Sequence, residues 1–252
     1  MSHDAHGHHE LSFWEKYVFS VDHKVIGLQY LITSFIFLLV GFGLMMLMRW
    51  QLAFPGTPIP FFGHLFSADL APNGVMSGEF YNALGAMHGT IMVFLGVVPL
   101  AVGAYGNYVL PLQIGAPDMA FPRMNMMSYW LYLPGGVLML SSFLMPGGAA
   151  QSGWTSYPPL SIINPGQTMW LLSMVVLITS SLLGAINFIV TTINMRAPGM
   201  SLWRMPVFCW AQFVTAVLLL LAFPPLEAAS ILQLMDRVFH TSFYMPKDLV
   251  IL

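Results

Sequence analysis

Five long stretches almost free of charge, at 25–48, 83–111, 127–146, 168–194 and 204–226, constrain this chain more than any other feature. Each reaches the roughly 20 residues of helix that a bilayer crossing needs. Hydrophobic residues make up 57% of the chain and charged ones only 7%, where a soluble domain carries about a quarter. So little charge cannot keep a chain of this length hydrated as a soluble body. In hydrocarbon every unpaired backbone group is costly, so the stretches are expected as helices despite β-branched residues such as Ile91, Val93, Val97 and Val98. The expected fold class is an all-α membrane protein with five transmembrane helices.

Basic residues set the expected orientation. Lys16 and Lys24 precede the first span, Arg123 lies between the second and third, and Arg196 and Arg204 lie between the fourth and fifth. The other side has Arg49, no Lys or Arg in 147–167, and then Arg237 and Lys247. This places the N terminus in the cytoplasm. Residues 1–16 hold charge and histidine but no apolar run, so the first span is expected to act as its own insertion signal. Residues 1–15 form a polar tail whose His3, His6, His8 and His9 read as solvated, with metal binding as the alternative. Residues 16–252 read as one bundle without internal repeat. Pro55, Pro58, Pro60 and Pro72, then Pro158, Pro159 and Pro165, mark two connections expected to be ordered caps. Beyond Pro225 a helix is expected from Leu226 to Val238. The lone cysteine, Cys209, excludes an internal disulfide and a cysteine-based metal site. A net charge of −2 selects no partner.

Polar residues within the apolar spans are the functional candidates. His88 sits about six residues into the second span, roughly 9 Å below its outer end. Gly85 shares its face and Gly89 follows it. An intramembrane histidine is a functional candidate by default, small neighbours leave room for a flat macrocycle, and haem iron accepts a neutral imidazole. The alternative is a histidine that hydrogen-bonds to a neighbouring helix. Arg49 ends the first span on the same side, as a headgroup anchor or as a donor to a polar cofactor substituent. Asp118 lies at the inner end of the second span, as a solvated loop carboxylate or as the start of a polar file. Asn107, Asn125 and Asn187 are ranged nearby, with Ser180 and Ser181 about two turns further outward than Asn187. Such amides usually bond helix to helix, but amides and hydroxyls also hold relaying water. Most aromatics and the 20 methionines, MNMM at 124–127 included, read as packing.

The same residues carry a family resemblance. DHKVIGLQYL (22–31), YNALGAMHGTIMVF (81–94), GNYVLPLQIGAPDMAFPRMN (106–125), SGWTSYPPL (152–160) and SSLLGAINFIVTTINM (180–195) resemble subunit I of the haem-copper oxygen reductases, in the family's order and at its spacings. The resemblance implies that His88 is one axial ligand of a low-spin haem, of type A if Arg49 contacts its formyl group, with Trp154 near haem propionates. It implies that Asp118 is the entrance of an aspartate-named proton channel. Asn107, Asn125 and Asn187 would be its amide constriction, and Ser180 and Ser181 would lie farther along. It further implies a bacterial inner-membrane oxidase with subunits II and III and the remainder of subunit I as partners, surrounded by membrane lipid and without nucleic acid.

Departures from the pattern sharpen the expectation. Met126 stands where members commonly have a second asparagine, which alters the channel mouth. Gln51 replaces an acidic residue that helps hold a calcium or sodium ion, so that ion is not expected. Val40, Leu44, Phe80 and Ala83 occupy the positions of the Arg, Asp, His and Gln of ubiquinol oxidases, which implies cytochrome c as the donor. The family's core has twelve helices, and the resemblance covers five. The second low-spin haem ligand, the copper histidines, the cross-linked tyrosine and the high-spin haem ligand are expected in the remainder of the subunit. His240 matches none of them, so these residues alone are not expected to reduce oxygen. Two alternatives stand beside this reading. One is a non-catalytic split or degenerate subunit that scaffolds or conducts protons; the other is an unrelated transporter using Asp118.

Overall fold

The computed structural model describes residues 12–61, 63, 66–67 and 69–244, so the histidine-bearing tail and Lys247 lie outside the described residues. Five main helices alternate in direction: α1 (His23–Ala53), α2 (Gly78–Ile114), α3 (Pro122–Ser141), α4 (Gly166–Asn194) and α5 (Val207–Phe239). α1 lies along α2, α3 along α4, and α4 along α5. Asp22 caps α1 by accepting from the N–H of Lys24, and Ser77 caps α2 by accepting from that of Phe80. As expected from sequence, α5 continues past Pro224 and Pro225 to Phe239.

Four of these helices, α1, α2, α4 and α5, are long and apolar enough to cross a membrane. α3 forms where the third span is expected but falls outside that group. Its first turns carry Arg123, Asn125, Ser128, Tyr129 and Tyr132, and all but Arg123 are buried polar side chains inside the bundle. The outside of the molecule is apolar: Leu39 and Phe42 on α1 are 61% and 59% exposed, and Leu221 on α5 is 69% exposed. A surface of this kind is stable against lipid tails or further helices, not against water.

α2 is wide-turned in its middle, π-helical over Ile91–Val97 and Pro99–Gly106. The prolines explain where its backbone is repaired. A proline donates nothing to the carbonyl four residues back. Pro99 interrupts the ladder of α2 just beyond Leu95, whose carbonyl accepts from the Tyr132 hydroxyl at 2.6 Å. Pro111 likewise frees the carbonyl of Asn107, which bonds to His23 Nδ1 at 2.7 Å. Two side chains from α3 and α1 thus fill two predictable gaps in α2.

The described residues of both caps are hydrogen-bonded and packed on the helices. In the 54–77 connection the N–H of Ile59 bonds to Gly74 and that of Ser77 to Leu70, and Ile59, Leu70 and Met76 pack on Phe80 and Leu84. In the 142–165 connection Asn164 donates to Gly147 and Ala149. Arg237 clamps the same segment from α5, with bonds to the carbonyls of Ser161, Ile162 and Asn164 and to Thr168 Oγ1. Gly166 starts α4 pressed on this loop, where a Cβ would stand 2.3 Å from the carbonyl oxygen of Gly148. Backbone cannot rotate away as a side chain can. Gly166→Ala is expected to cost about 3 kcal/mol, the upper end for overpacking, read as a lowered unfolding temperature of the detergent-extracted protein.

Candidate functional site

Two polar regions are built into this bundle, one along the α1–α2 seam and one in its interior. At the seam, Gly41 of α1 lets α2 approach closely, since a Cβ there would meet Met92 Sδ at 2.6 Å. His88 on α2 faces this point, and its Nδ1 lies 2.8 Å from the carbonyl of Gly41. A carbonyl only accepts, so Nδ1 carries the proton and Nε2 keeps its lone pair. No hydrogen bond to Nε2 is found among the described residues. This is the tautomer and the restraint that a metal-ligating imidazole needs.

Tyr81, Gly85 and His88 share one face of α2 by their spacing. Tyr81 joins Met45, Met48, Arg49, Leu52 and Ala53 of α1 around an open groove of about 450 Å³. Arg49 is exposed there and makes no hydrogen bond or ion pair among the described residues. Side chains at Gly43 and Gly89 would meet nothing. A flat macrocycle fits the chain's own features: a free imidazole nitrogen, open positions at Gly43 and Gly89, and an unengaged guanidinium in the groove at Tyr81, which lies about two turns, roughly 10 Å, along α2 from His88. Trp154 is not brought to this groove. It packs on Phe94, ring centres 6.4 Å apart, and lines a separate cavity of about 300 Å³ with Trp170, Leu226 and Gln233.

The interior region gathers more of the expected residues. Asn107, Ser180 and Ser181 line one cavity of about 40 Å³, together with Tyr30, Ser128 and Tyr132. A water molecule needs roughly 10–15 Å³ of such space and a few polar partners. Tyr30 donates to Ser128 Oγ at 3.1 Å, and Ser128 donates to the carbonyl of Asn125 at 2.7 Å. Ser180 donates to the carbonyl of Ser128. Asn107 Oδ1, Asn125 Nδ2, His23 Nε2 and Gln212 Oε1 are buried without a protein partner. Buried polar atoms are rarely left so, and a cavity of this size and polarity has room for water that would satisfy them.

Asp118 stands apart, half-buried, accepting from the N–H of Met119 at 2.6 Å. No hydrogen bond or ion pair joins it to Arg123 among the described residues. The loop behind it is gripped by α4. Asn187 accepts from the N–H of Phe121 and donates to its carbonyl, while Thr191 accepts from the N–H of Ala120. Both ends of the Asn187 amide are thus committed to backbone, and its observed task is to fix the 118–121 loop. Asn125 follows directly at the start of α3. Sequence reasoning missed Tyr30, Ser128, Tyr132, His23 and Gln212. Of these, His23 had a signal as an ionisable residue two positions before an apolar run, and Tyr132 had one in the proline of its partner helix.

An apolar helical bundle with long membrane-length helices, a tautomer-fixed histidine at one seam and a polar interior is an integral membrane protein. The chain belongs to the family described as Cytochrome C and Quinol oxidase polypeptide I, which matches residues 25–251. It is 48% identical to cytochrome c oxidase subunit 1 of Thermostichus vulcanus over 236 residues, 93% of this chain and 40% of that protein. It is 48% identical to the subunit 1 of Synechocystis sp., over 92% of this chain and 39% of the relative. With the subunit 1 of Cereibacter sphaeroides the identity is 42%, over 96% of this chain and 46% of the relative. The chain spans about two fifths of the length of these first two curated relatives.

Proposed function

We propose that this chain is the N-terminal part of the catalytic subunit of a terminal oxidase that oxidises cytochrome c, reduces oxygen to water and moves protons. It supplies one ligand of a low-spin haem and the entrance of the proton route. The observation that carries the reading is His88, with Nδ1 held by Gly41 and Nε2 unengaged. The haem, when bound, passes single electrons between donor and oxygen-reducing centre. The chain's own residues would hold and tune it: Nε2 of His88 as a ligand to the iron, Gly89 giving clearance, Arg49 donating to a formyl group if the haem is of type A, and Trp154 near the propionates once the remainder of the subunit is in place. The high-spin haem and copper belong with that remainder. α3 crosses the membrane with the other four helices, as part of a twelve-helix bundle. The protein lies in a bacterial inner membrane with its N terminus in the cytoplasm, beside subunits II and III.

Protons enter at Asp118, pass the Asn107 and Asn125 amides, and follow water in the cavity beside Ser180 and Ser181. Asn187 holds the entrance loop in place.

Two measurements test the donor and the haem contact. Val40, Leu44 and Phe80 line a groove of about 620 Å³ whose polar side chains, Ser67 and Asp69, come from the 54–77 connection; none of the polar side chains that a ubiquinol headgroup needs stands at the three helix positions. The complete enzyme is expected to oxidise reduced cytochrome c far faster than a ubiquinol; the reverse ratio overturns the donor assignment. Arg49→Lys replaces a planar fork with a point donor and is expected to blue-shift the low-spin haem band. An unchanged band leaves Arg49 as a headgroup anchor.

A further inference from the structure

We propose that Glu227, within α5, is a proton-binding site distinct from the Asp118 route, and that in this arrangement it is a neutral carboxylic acid donating to Thr179 of α4. Thr179 Oγ1 lies 2.6 Å from Glu227 Oε1 and 2.8 Å from the carbonyl oxygen of Val175. A threonine hydroxyl has one proton. A carbonyl and an ionised carboxylate are both acceptors only, so an ionised Glu227 forces that single proton to serve two contacts. A protonated Glu227 satisfies each in full: its O–H donates to Thr179 Oγ1, and Thr179 donates to Val175. The 2.6 Å separation lies at the short end of the O–H···O range.

No cation stands beside Glu227 to hold it ionised: it forms no ion pair among the described residues. α4 contains no ionisable residue from Gly166 to Asn194. The nearest ionisable groups farther along α5, Asp236 and Arg237, are engaged with segments 241–244 and 161–164.

Thr179 directly precedes Ser180 and Ser181, which line the interior cavity. The site thus lies one residue along α4 from that cavity, and loss of its proton draws the single Thr179 proton toward the carboxylate at the expense of the bond to Val175. The inference rests on these contacts and stands independently of the haem and Asp118 assignments.

Infrared spectra of the complete, membrane-extracted protein test it. Subtracting Glu227→Gln from the unaltered protein is expected to leave a C=O stretching band of a protonated carboxyl, shifted down in D2O. Glutamine keeps a neutral donor for Thr179, so the fold is retained. Thr179→Val, which retains the carboxyl but removes its partner, is expected to move that band to higher frequency. If Glu227→Gln instead removes only carboxylate stretches, or if Thr179→Val leaves the band unmoved, the proposal is overturned.

Discussion

Asp118→Asn in the complete oxidase is expected to slow oxygen reduction by roughly tenfold or more and to abolish proton release, while leaving the haem spectra intact. A carboxylate can take a proton from water and pass it on, whereas an amide cannot cycle one; positioned proton carriers typically contribute such factors. Local structure argues that the change is chemical and not architectural. Asp118 makes one hydrogen bond, with the N–H of Met119, and an asparagine oxygen can accept it equally. The loop stays gripped by Asn187 and Thr191. His88 lies on α2 about thirty residues from Asp118, roughly 40 Å of helix rise, so the haem band is not expected to move. Proton release from vesicles after a small oxygen pulse, recorded with turnover, checks this. Unaltered turnover and release leave Asp118 as a loop carboxylate. Asn125→Asp is subtler, since it adds a charge beside a buried amide without a partner, and is expected to uncouple release from oxygen consumption.

His88→Leu is expected to remove the optical band of the low-spin haem altogether. Leucine fills similar space on α2 but offers no lone pair, and haem iron held from one side only cannot remain six-coordinate. The loss should be specific. The one polar contact of His88 is with the Gly41 carbonyl, a backbone group that α1 already bonds internally, so helix packing survives the change. A variant with an unchanged six-coordinate spectrum would show that His88 merely ties α2 to α1.

Much of this architecture was legible in the chain because the bilayer leaves a long apolar segment only one conformation. α1, α2, α4 and α5 lie where composition places them. α3 is the instructive case. Its span was drawn from 127 onward for its apolar residues, yet the helix begins at Pro122 and takes in the polar Arg123, Asn125 and Ser128. Asn125 and Ser128 fall in the bundle interior, where hydropathy alone cannot see the benefit of a buried partner. The site was legible in part. Asn107, Ser180 and Ser181 do meet at one cavity, as their helical positions suggested. Tyr30, Ser128 and Tyr132 escaped notice because tyrosine and serine in apolar helices look like packing until their hydroxyl partners are known. The tie of Tyr132 to Leu95 was available in principle, since Pro99 predicts a carbonyl in need of a donor. Asn187 shows the opposite failure: an amide in the right place whose two ends are both taken by the Phe121 backbone. Trp154 sits on a connection, and no periodicity specifies which helix a loop residue will rest on; here it is Phe94 of α2.

The most direct test of the account is the low-spin ferric signal in electron paramagnetic resonance of the His88→Gly oxidase, recorded before and after imidazole is added. The Nδ1–H bond to Gly41 and the unengaged Nε2 make His88 a ligand that free imidazole can imitate in the space the side chain leaves. The account predicts that the signal disappears in His88→Gly and returns with imidazole. A low-spin signal that persists in His88→Gly without imidazole would contradict it.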